Sequence, residues 1–313
     1  MRFKLWLTVV IAGWGVAACA PRQLERPNGV AVAADGSVYI MDFGHYRVVH
    51  LSPEGRWLGA FGKLGEAAEN IYFGWDLAVG PDGNLYLANM NSDDERTSHD
   101  GVKVFTPQGR LVREIGAADY SDYEDIAHKP YGLDIDDMGR VYVADDGTAT
   151  VRVFAPSGEQ LATFFGAGST DFQFPGINDV AVDDRRQLLY VVDYVQSHVE
   201  QFAIQESGGK LAVQHLRTIG RYGSAAGELA FPQNITVDDV TGRVYVGDLA
   251  NRRIQVFDAA GGYVNEFSPP VVSDWQAMGM NRDAEGNIYV ADSLNAVIWV
   301  FTAEGDFLRS LGR

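Results

Sequence analysis

The sequence predicts an all-β fold, a six-bladed β-propeller of four-stranded antiparallel blades. The first observation is an octapeptide that returns six times: DGSVYIMD (35–42), DGNLYLAN (82–89), MGRVYVAD (138–145), RQLLYVVD (186–193), TGRVYVGD (241–248) and EGNIYVAD (285–292). The second is its spacing. Tyr39, Tyr86, Tyr142, Tyr190, Tyr245 and Tyr289 follow one another at 44 to 56 residues, the period of one propeller blade. The third is that the flanking segments repeat as well, so each unit is one supersecondary element copied along the chain.

Within a unit the innermost strand comes first: GVAV (29–32), DLAV (76–79), GLDI (132–135), DVAV (179–182) and NITV (234–237). A turn rich in Asp and Gly leads to the octapeptide, the second strand, which is apolar on both faces at Val38, Tyr39, Ile40 and Met41. The third strand usually ends in Phe, as in VKVF (102–105), VRVF (151–154), VEQF (199–202), IQVF (254–257) and IWVF (298–301). Turns such as SPEG (52–55), TPQG (106–109) and APSG (155–158) place Pro where φ must be near −65° and Gly where the turn closes. A fourth run ending in Gly completes the unit: LGAFG (58–62), LVREIG (111–116), ATFFG (162–166), LRTIG (216–220) and LRSLG (308–312). A sheet whose second strand is apolar on both faces must be covered on both, and a closed ring of six such sheets does this with only short edges exposed.

The N-terminus reads as a targeting segment. Arg2 and Lys4 precede an apolar stretch from Leu5 to Val16, short for a permanent span, and then Ala17, Ala18 and the sole cysteine, Cys19. This run resembles a bacterial lipobox, which implies a leader over 1–18, lipidation at Cys19, a tether over 19–26 and the propeller over 27–313. Ala20 stands where a lipoprotein retained in the inner membrane more often carries Asp, so the expected location is the periplasmic face of the outer membrane. The segment from Ala20 to Arg26 could alternatively add a strand to the closing blade. The net charge of −17, with five lysines, repels phosphate backbones and argues against a nucleic-acid partner.

With the repeats laid out, the chain resembles the NHL-repeat family of six-bladed propellers, here in a bacterial lipoprotein form. The stretches that carry the resemblance are IGRYGSAAGELAFPQNITVDDVTGRVYVGDLANRRIQVFDAAG (219–261) and RPNGVAVAADGSVYIMDFGHYRVVHLSPEG (26–55). The family spans protein-binding modules, sensor domains and a metal-dependent lyase, so the resemblance implies the fold and leaves the activity open. Departures from the repeat stand out: NMNSDDERTSHDG (89–101) within blade 2, AADYSDYEDIAHKP (117–130) between blades 2 and 3, and QESGGKLAVQH (205–215), expected as an insertion between the third and fourth strands of blade 4.

In such a blade the loop from strand two to three and the loop between blades emerge on one face, where every innermost strand begins. Two columns of residues should ring the channel mouth there. One is Gly29, Asp76, Gly132, Asp179, Asn234 and Gly279; the other is Asn28, Trp75, Tyr131, Asn178, Gln233 and Met278. Asn28, Trp75, Tyr131, Asn178 and Gln233 are candidate ligand contacts. Asp76, Asp179 and Asn234 offer the hard oxygen donors that suit Ca²⁺, similar in fold and ligand type to the metal site of six-bladed lactonases. His45, His99, His128 and His198 fall near the same face, but no pair has the spacing of a zinc motif. Asp93, Asp94, Glu95, His99, Tyr120, Tyr123 and His128 form a candidate interaction rim, with aromatics interleaved among charges. The carboxylate that ends strand two in nearly every blade (Asp42, Asp145, Asp193, Asp248 and Asp292) reads as structural, because catalysis does not need five copies.

No Walker loop, dinucleotide fingerprint or Gly-x-Ser-x-Gly elbow is present, and the lone cysteine is absorbed by the lipobox. Two functions follow as expectations. One is a non-catalytic binding or scaffold module for a periplasmic or outer-membrane protein, peptide or glycan. The other is a Ca²⁺-type lactonase or esterase-like hydrolase, or a lyase, with Asp179 or His128 as the base.

Overall fold

The computed structural model describes residues 22–65, 67–90, 101–116, 129–166 and 172–312. These form six four-stranded antiparallel sheets, each built from four consecutive strands. Blade 1 comprises Pro27–Val32, Val38–Asp42, Arg47–Leu51 and Trp57–Phe61, and blade 2 comprises Phe73–Val79, Leu85–Met90, Gly101–Phe105 and Leu111–Ile115. Blade 3 runs through Pro130–Ile135, Val141–Asp145, Thr150–Phe154 and Gln160–Phe165, and blade 4 through Ile177–Asp183, Leu188–Asp193, His198–Ser207 and Lys210–Ile219. Pro232–Asp238, Arg243–Asp248, Arg253–Phe257 and Tyr263–Phe267 make blade 5; Ala277–Arg282, Ile288–Asp292, Val297–Phe301 and Phe307–Leu311 make blade 6. Among the described residues no helix is long and apolar enough to cross a membrane.

The core is divided. Six apolar clusters lie one at each junction between neighbouring blades, and the second strands supply both sides of them. The octapeptide tyrosines are all buried, each at 3% exposure or less, which explains why the aromatic body is kept in every repeat. Their hydroxyls reach polar partners at the blade ends: Tyr245 donates to the Ala303 carbonyl at 3.0 Å and Tyr86 to Asp82 at 3.1 Å.

The hairpin between strands two and three is a tight turn whose last residue is left-handed: Tyr46, Ala149, Ser197, Arg252 and Ala296 all have φ between 53° and 60°. In blade 2 this connection is the segment 89–101, of which residues 91–100 lie outside the described residues. The expected insertion at 205–215 turns out to be strand. The third and fourth strands of blade 4 extend to ten residues each around Gly208 and Gly209, whose φ of 59° and 77° make a two-residue hairpin turn.

The ring closes without a borrowed strand. Residues 22–26 add no strand to blade 6, and Leu24 is instead buried in the cluster between blades 6 and 1, with Leu311 beside it. Glu25 N donates to Asp42 at 2.6 Å and Gly44 N to the Glu25 carbonyl at 2.7 Å, which secures this segment to blade 1.

Candidate functional site

Each innermost strand is interrupted by a bulge where it meets the mouth of the channel. In blades 1, 4, 5 and 6 one residue is skipped in the pairing with strand two: Asn28, Asn178, Gln233 and Met278. In blades 2 and 3 the register also shifts, around Trp75 and Asp76 and around Tyr131 and Gly132. A bulge re-aims side chains that regular alternation would bury between sheets. Ten of the twelve residues of the two columns, Trp75, Asp76, Tyr131, Gly132, Asn178, Asp179, Gln233, Asn234, Met278 and Gly279, line a cavity of about 30 Å³, and Asn28 and Gly29 are not among its lining.

At this level the inner strands approach closely, and glycine alternates with polar residues for that reason. A Cβ on Gly132 would overlap Asp179, and one on Gly279 would overlap Asn28 and Gly29. The polar members span to the next blade. Asn28 Nδ2 donates to the Gly74 carbonyl at 2.9 Å, Leu133 N to Asp76 at 3.2 Å, Ile235 N to Asp179 at 2.9 Å, and Asn234 Nδ2 to the Ala277 carbonyl at 2.7 Å. One turn deeper, Val182 N donates to Asp134 at 2.8 Å and Val32 N to Asn281 at 3.4 Å. Together these bonds run once around the ring, one at each blade junction.

Such bonds leave carboxylates in a narrow, poorly hydrated channel. Burial pushes Asp76 and Asp134 up to about 7, against hydrogen bonds from backbone amides that pull the other way. Burial also raises Asp179 well above the usual carboxylate range, and the neighbouring charge of Asp76 adds to it. Asp184, farther along the chain of acids from Asp134, is raised to about 6, again chiefly by burial. Asp134 was missed by the sequence reading; its signal is that it stands two residues past Gly132 on the same strand, with the same lateral direction.

Asp179 accepts one backbone N–H on each oxygen, from Val180 at 2.8 Å and Ile235 at 2.9 Å. Asn234 Oδ1 has no hydrogen-bond partner and is a hard donor, as are the remaining carboxylate lone pairs. Among the described residues no group of three or more His, Cys, Asp or Glu is arranged to hold a metal ion.

Beside the cavity an arc of half-exposed rings crosses three blades. Phe43 lies 5.8 Å from Phe73 and 5.5 Å from Trp75, and Trp75 lies 4.8 Å from Tyr131, all between ring centroids. Arg26 sits over the Phe43 ring at 5.1 Å. Phe43 and Phe73 went unremarked in the sequence because neither belongs to a repeat column. Of the histidines among the described residues, His45 bonds to Asp42 at 2.9 Å in blade 1, and His198 pairs with Glu200 at 3.0 Å in blade 4, so these two do not share a site. Cys19, Asp93, Asp94, Glu95, His99, Tyr120, Tyr123 and His128 lie outside the described residues.

The recurring strand-two carboxylate is structural. Asp42, Asp145, Asp248 and Asp292 each accept the backbone N–H of a residue entering the innermost strand: Glu25, Lys129, Ala230 and Gln276. Asn89 does the same for Tyr72 N at 3.1 Å.

No family model matches the chain. NHL repeat-containing protein 3 of Homo sapiens is 27% identical over 262 residues, 78% of this chain and 70% of that protein. Protein brain tumor of Drosophila melanogaster is 25% identical over 142 residues, 45% of this chain. This chain is a six-bladed β-propeller whose sequence is similar to NHL-repeat proteins. The matched region spans only 12% of the brain tumor protein and 25% of a second relative, peptidyl-glycine alpha-amidating monooxygenase B of Xenopus laevis. Among solved structures, a gluconolactonase from Xanthomonas campestris superposes with a TM-score of 0.63 at 16% identity, covering 89% of this chain and 86% of that one. A streptogramin B lyase gives 0.59 at 13% identity, covering 94% and 85%. At these identities the likeness is one of fold, and NHL-type propellers share it with enzymes and binding proteins alike.

Proposed function

We propose that this propeller is a non-catalytic binding module, exported and held by lipid at Cys19 on the periplasmic face of the outer membrane, which recognises a protein, peptide or glycan through its channel-mouth face. The observation that carries the reading is the aromatic arc from Phe43 through Phe73 and Trp75 to Tyr131, which leads across three blades to the cavity. Large rigid rings exposed side by side on a fixed scaffold supply contact area at small entropic cost. A partner of this kind is consistent with the NHL-type fold and with the acidic sequence segments 89–101 within blade 2 and 117–130 between blades 2 and 3.

The tether has a geometric consequence under this reading. Leu24 is docked at the mouth-face end of the junction between blades 6 and 1 and lies five positions after Cys19, a reach of about 17 Å when extended. A lipidated chain would hold the mouth face near the leaflet, suited to a membrane-associated partner.

The test is binding of the labelled protein to peptide and glycan arrays, compared with Phe43→Ala and Trp75→Ala. Signals lost in both variants support the module; signals unchanged by either, or absent altogether, remove it. A second reading rests on the hard oxygen donors at the same mouth, where Asp76, Asp179 and Asn234 would hold a Ca²⁺-type ion. The ion would supply a Lewis acid for an ester or lactone. Chelator-sensitive hydrolysis of simple lactones would favour it.

A further inference from the structure

We infer that the end of the channel opposite the mouth, on the side of blades 1 to 3, holds a second binding site, which takes a peptide segment carrying a basic side chain between apolar ones. The site lies away from the mouth face and stands whether or not that face binds a partner.

The space comes from an asymmetry of the ring. Val32, Val79 and Ile135 are the last residues of three innermost strands, and each is only half-buried. Across the channel Arg282 spans blades 6 and 5, donating to the Val237 carbonyl at 3.0 Å and pairing with Asp239. Blades 1 to 3 leave a cavity of about 650 Å³ instead, floored by those three side chains with Pro81 and Pro107 on its walls. Apolar lining with a few polar groups is the make-up of a ligand site.

One hydroxyl points to an occupant. In five octapeptides the tyrosine hydroxyl is bonded: those of Tyr86, Tyr142 and Tyr289 to a carboxylate, that of Tyr190 to Gln201 and that of Tyr245 to the Ala303 carbonyl. Tyr39 lines the cavity and is 3% exposed, yet its hydroxyl has no partner. The hydroxyl keeps contact with solvent, whereas the equally unpartnered Gln201 Oε1 is sealed. Ala303 lies between strands three and four of the blade after Tyr245. The same turn of the blade after Tyr39 supplies Pro107 and Gln108 to the cavity, so the free hydroxyl ends there. Stacking on His50, with centroids 4.3 Å apart, fixes the direction of the ring.

Charge names the occupant. Asp35 and Asp137 line the cavity, are exposed, and form no ion pair among the described residues, while Asp136 is taken by Arg140. The Ser37 amide, donating to Asp35 at 2.9 Å, holds that carboxyl below the usual carboxylate range, so it is ionised at neutral pH. Among the described residues no basic side chain lines the cavity. A lysine meets all three features: its stem covers the apolar floor, its ammonium faces the carboxylates, and the adjoining peptide carbonyl accepts from Tyr39.

Fluorescence anisotropy of the purified chain with dye-labelled Leu-Lys-Leu-Lys-Leu, capped at both ends, should show saturable binding. The same peptide with norleucine for lysine should bind about tenfold more weakly, and with glutamate not at all. Tyr39→Phe should weaken binding about fivefold. It should leave the melting temperature unchanged, whereas Tyr245→Phe, which loses its bond to Ala303, should lower it. Asp35→Asn with Asp137→Asn keeps an acceptor for the Ser37 amide and should weaken binding about tenfold or more. No saturable binding, equal binding of the glutamate peptide, or affinity unchanged in Tyr39→Phe and in the double variant would overturn the inference.

Discussion

Leu24 rests on Gly312: a Cβ at that glycine would overlap the leucine side chain, and Gly312 takes a left-handed φ of 89°. The same device recurs where Ile71 meets Gly62 and where Leu229 meets Gly220, so an apolar residue ahead of each of these innermost strands wedges onto the end of the preceding blade. The last wedge in space is the first in sequence, and the ring is closed by packing.

Leu24→Ala should therefore destabilise the propeller by about 2–4 kcal/mol, the range for emptying a buried leucine site. Leu58→Ala, at a side chain 54% exposed, should change stability by less than about 0.5 kcal/mol. Chemical denaturation of both variants checks the pair, and equal midpoints would contradict the wedge.

Gly132→Ala forces a methyl against the Asp179 backbone and should lower the melting temperature by several degrees or prevent folding. Gly59 has nothing within 4 Å of its added Cβ and no positive φ. Gly59→Ala should be neutral or stabilising by about 0.5 kcal/mol, since alanine costs less chain entropy. Thermal melts distinguish the two glycines directly.

Asp248 accepts Ala230 N at 2.7 Å, Arg253 Nε at 2.8 Å and Gln255 Nε2 at 3.1 Å while fully buried. Asp248→Ala would leave Ala230 N and Arg253 Nε without this acceptor and should cost about 3–5 kcal/mol. Binding at the channel mouth, measured on the fraction that remains folded, should be unchanged, because this carboxylate holds a blade junction and faces no ligand.

Stability should depend on pH with a sign opposite to that of a paired carboxylate. Asp76 and Asp134 are raised from an ordinary 3.8 to about 7, so the folded state binds protons that the unfolded state releases. Their contribution is fully present below about 4 and is lost as the pH rises through about 7. Glu200 and Asp238 are lowered, with hydrogen bonds to their carboxylates outweighing burial, and their contribution is lost only under acid. The melting temperature should thus rise as pH falls from about 8 to about 5, and Asp76→Asn should flatten that slope.

Much of this molecule was legible in its sequence because a propeller repeats one local problem six times. The turn chemistry at Gly36 and Gly55, the doubly apolar second strands and the Phe that ends most third strands are each local requirements, and they recur at a fixed period. Tyr245 illustrates it: alternation, burial and a polar end for its hydroxyl can all be read from TGRVYVGD alone. The columns through Asp76, Asp179 and Asn234 were legible on the same ground, since equivalent positions in a ring must face one channel.

What the tertiary structure decided lies where residues meet across blades without sharing a repeat position. Phe43 joins Trp75 only because two loops from neighbouring blades converge, and no spacing encodes that distance. The bulges at Asn28, Asn178 and Gln233 depend on pairing register, which shifts by one residue without altering the hydrophobic pattern nearby. Asp134 becomes an elevated acid only when the ring encloses it, because desolvation is a property of the assembled channel and not of the strand. Sequence by itself determined the number, order and shape of the blades; closure of the ring determined which side chains share a cavity, and with it the chemistry available at the mouth.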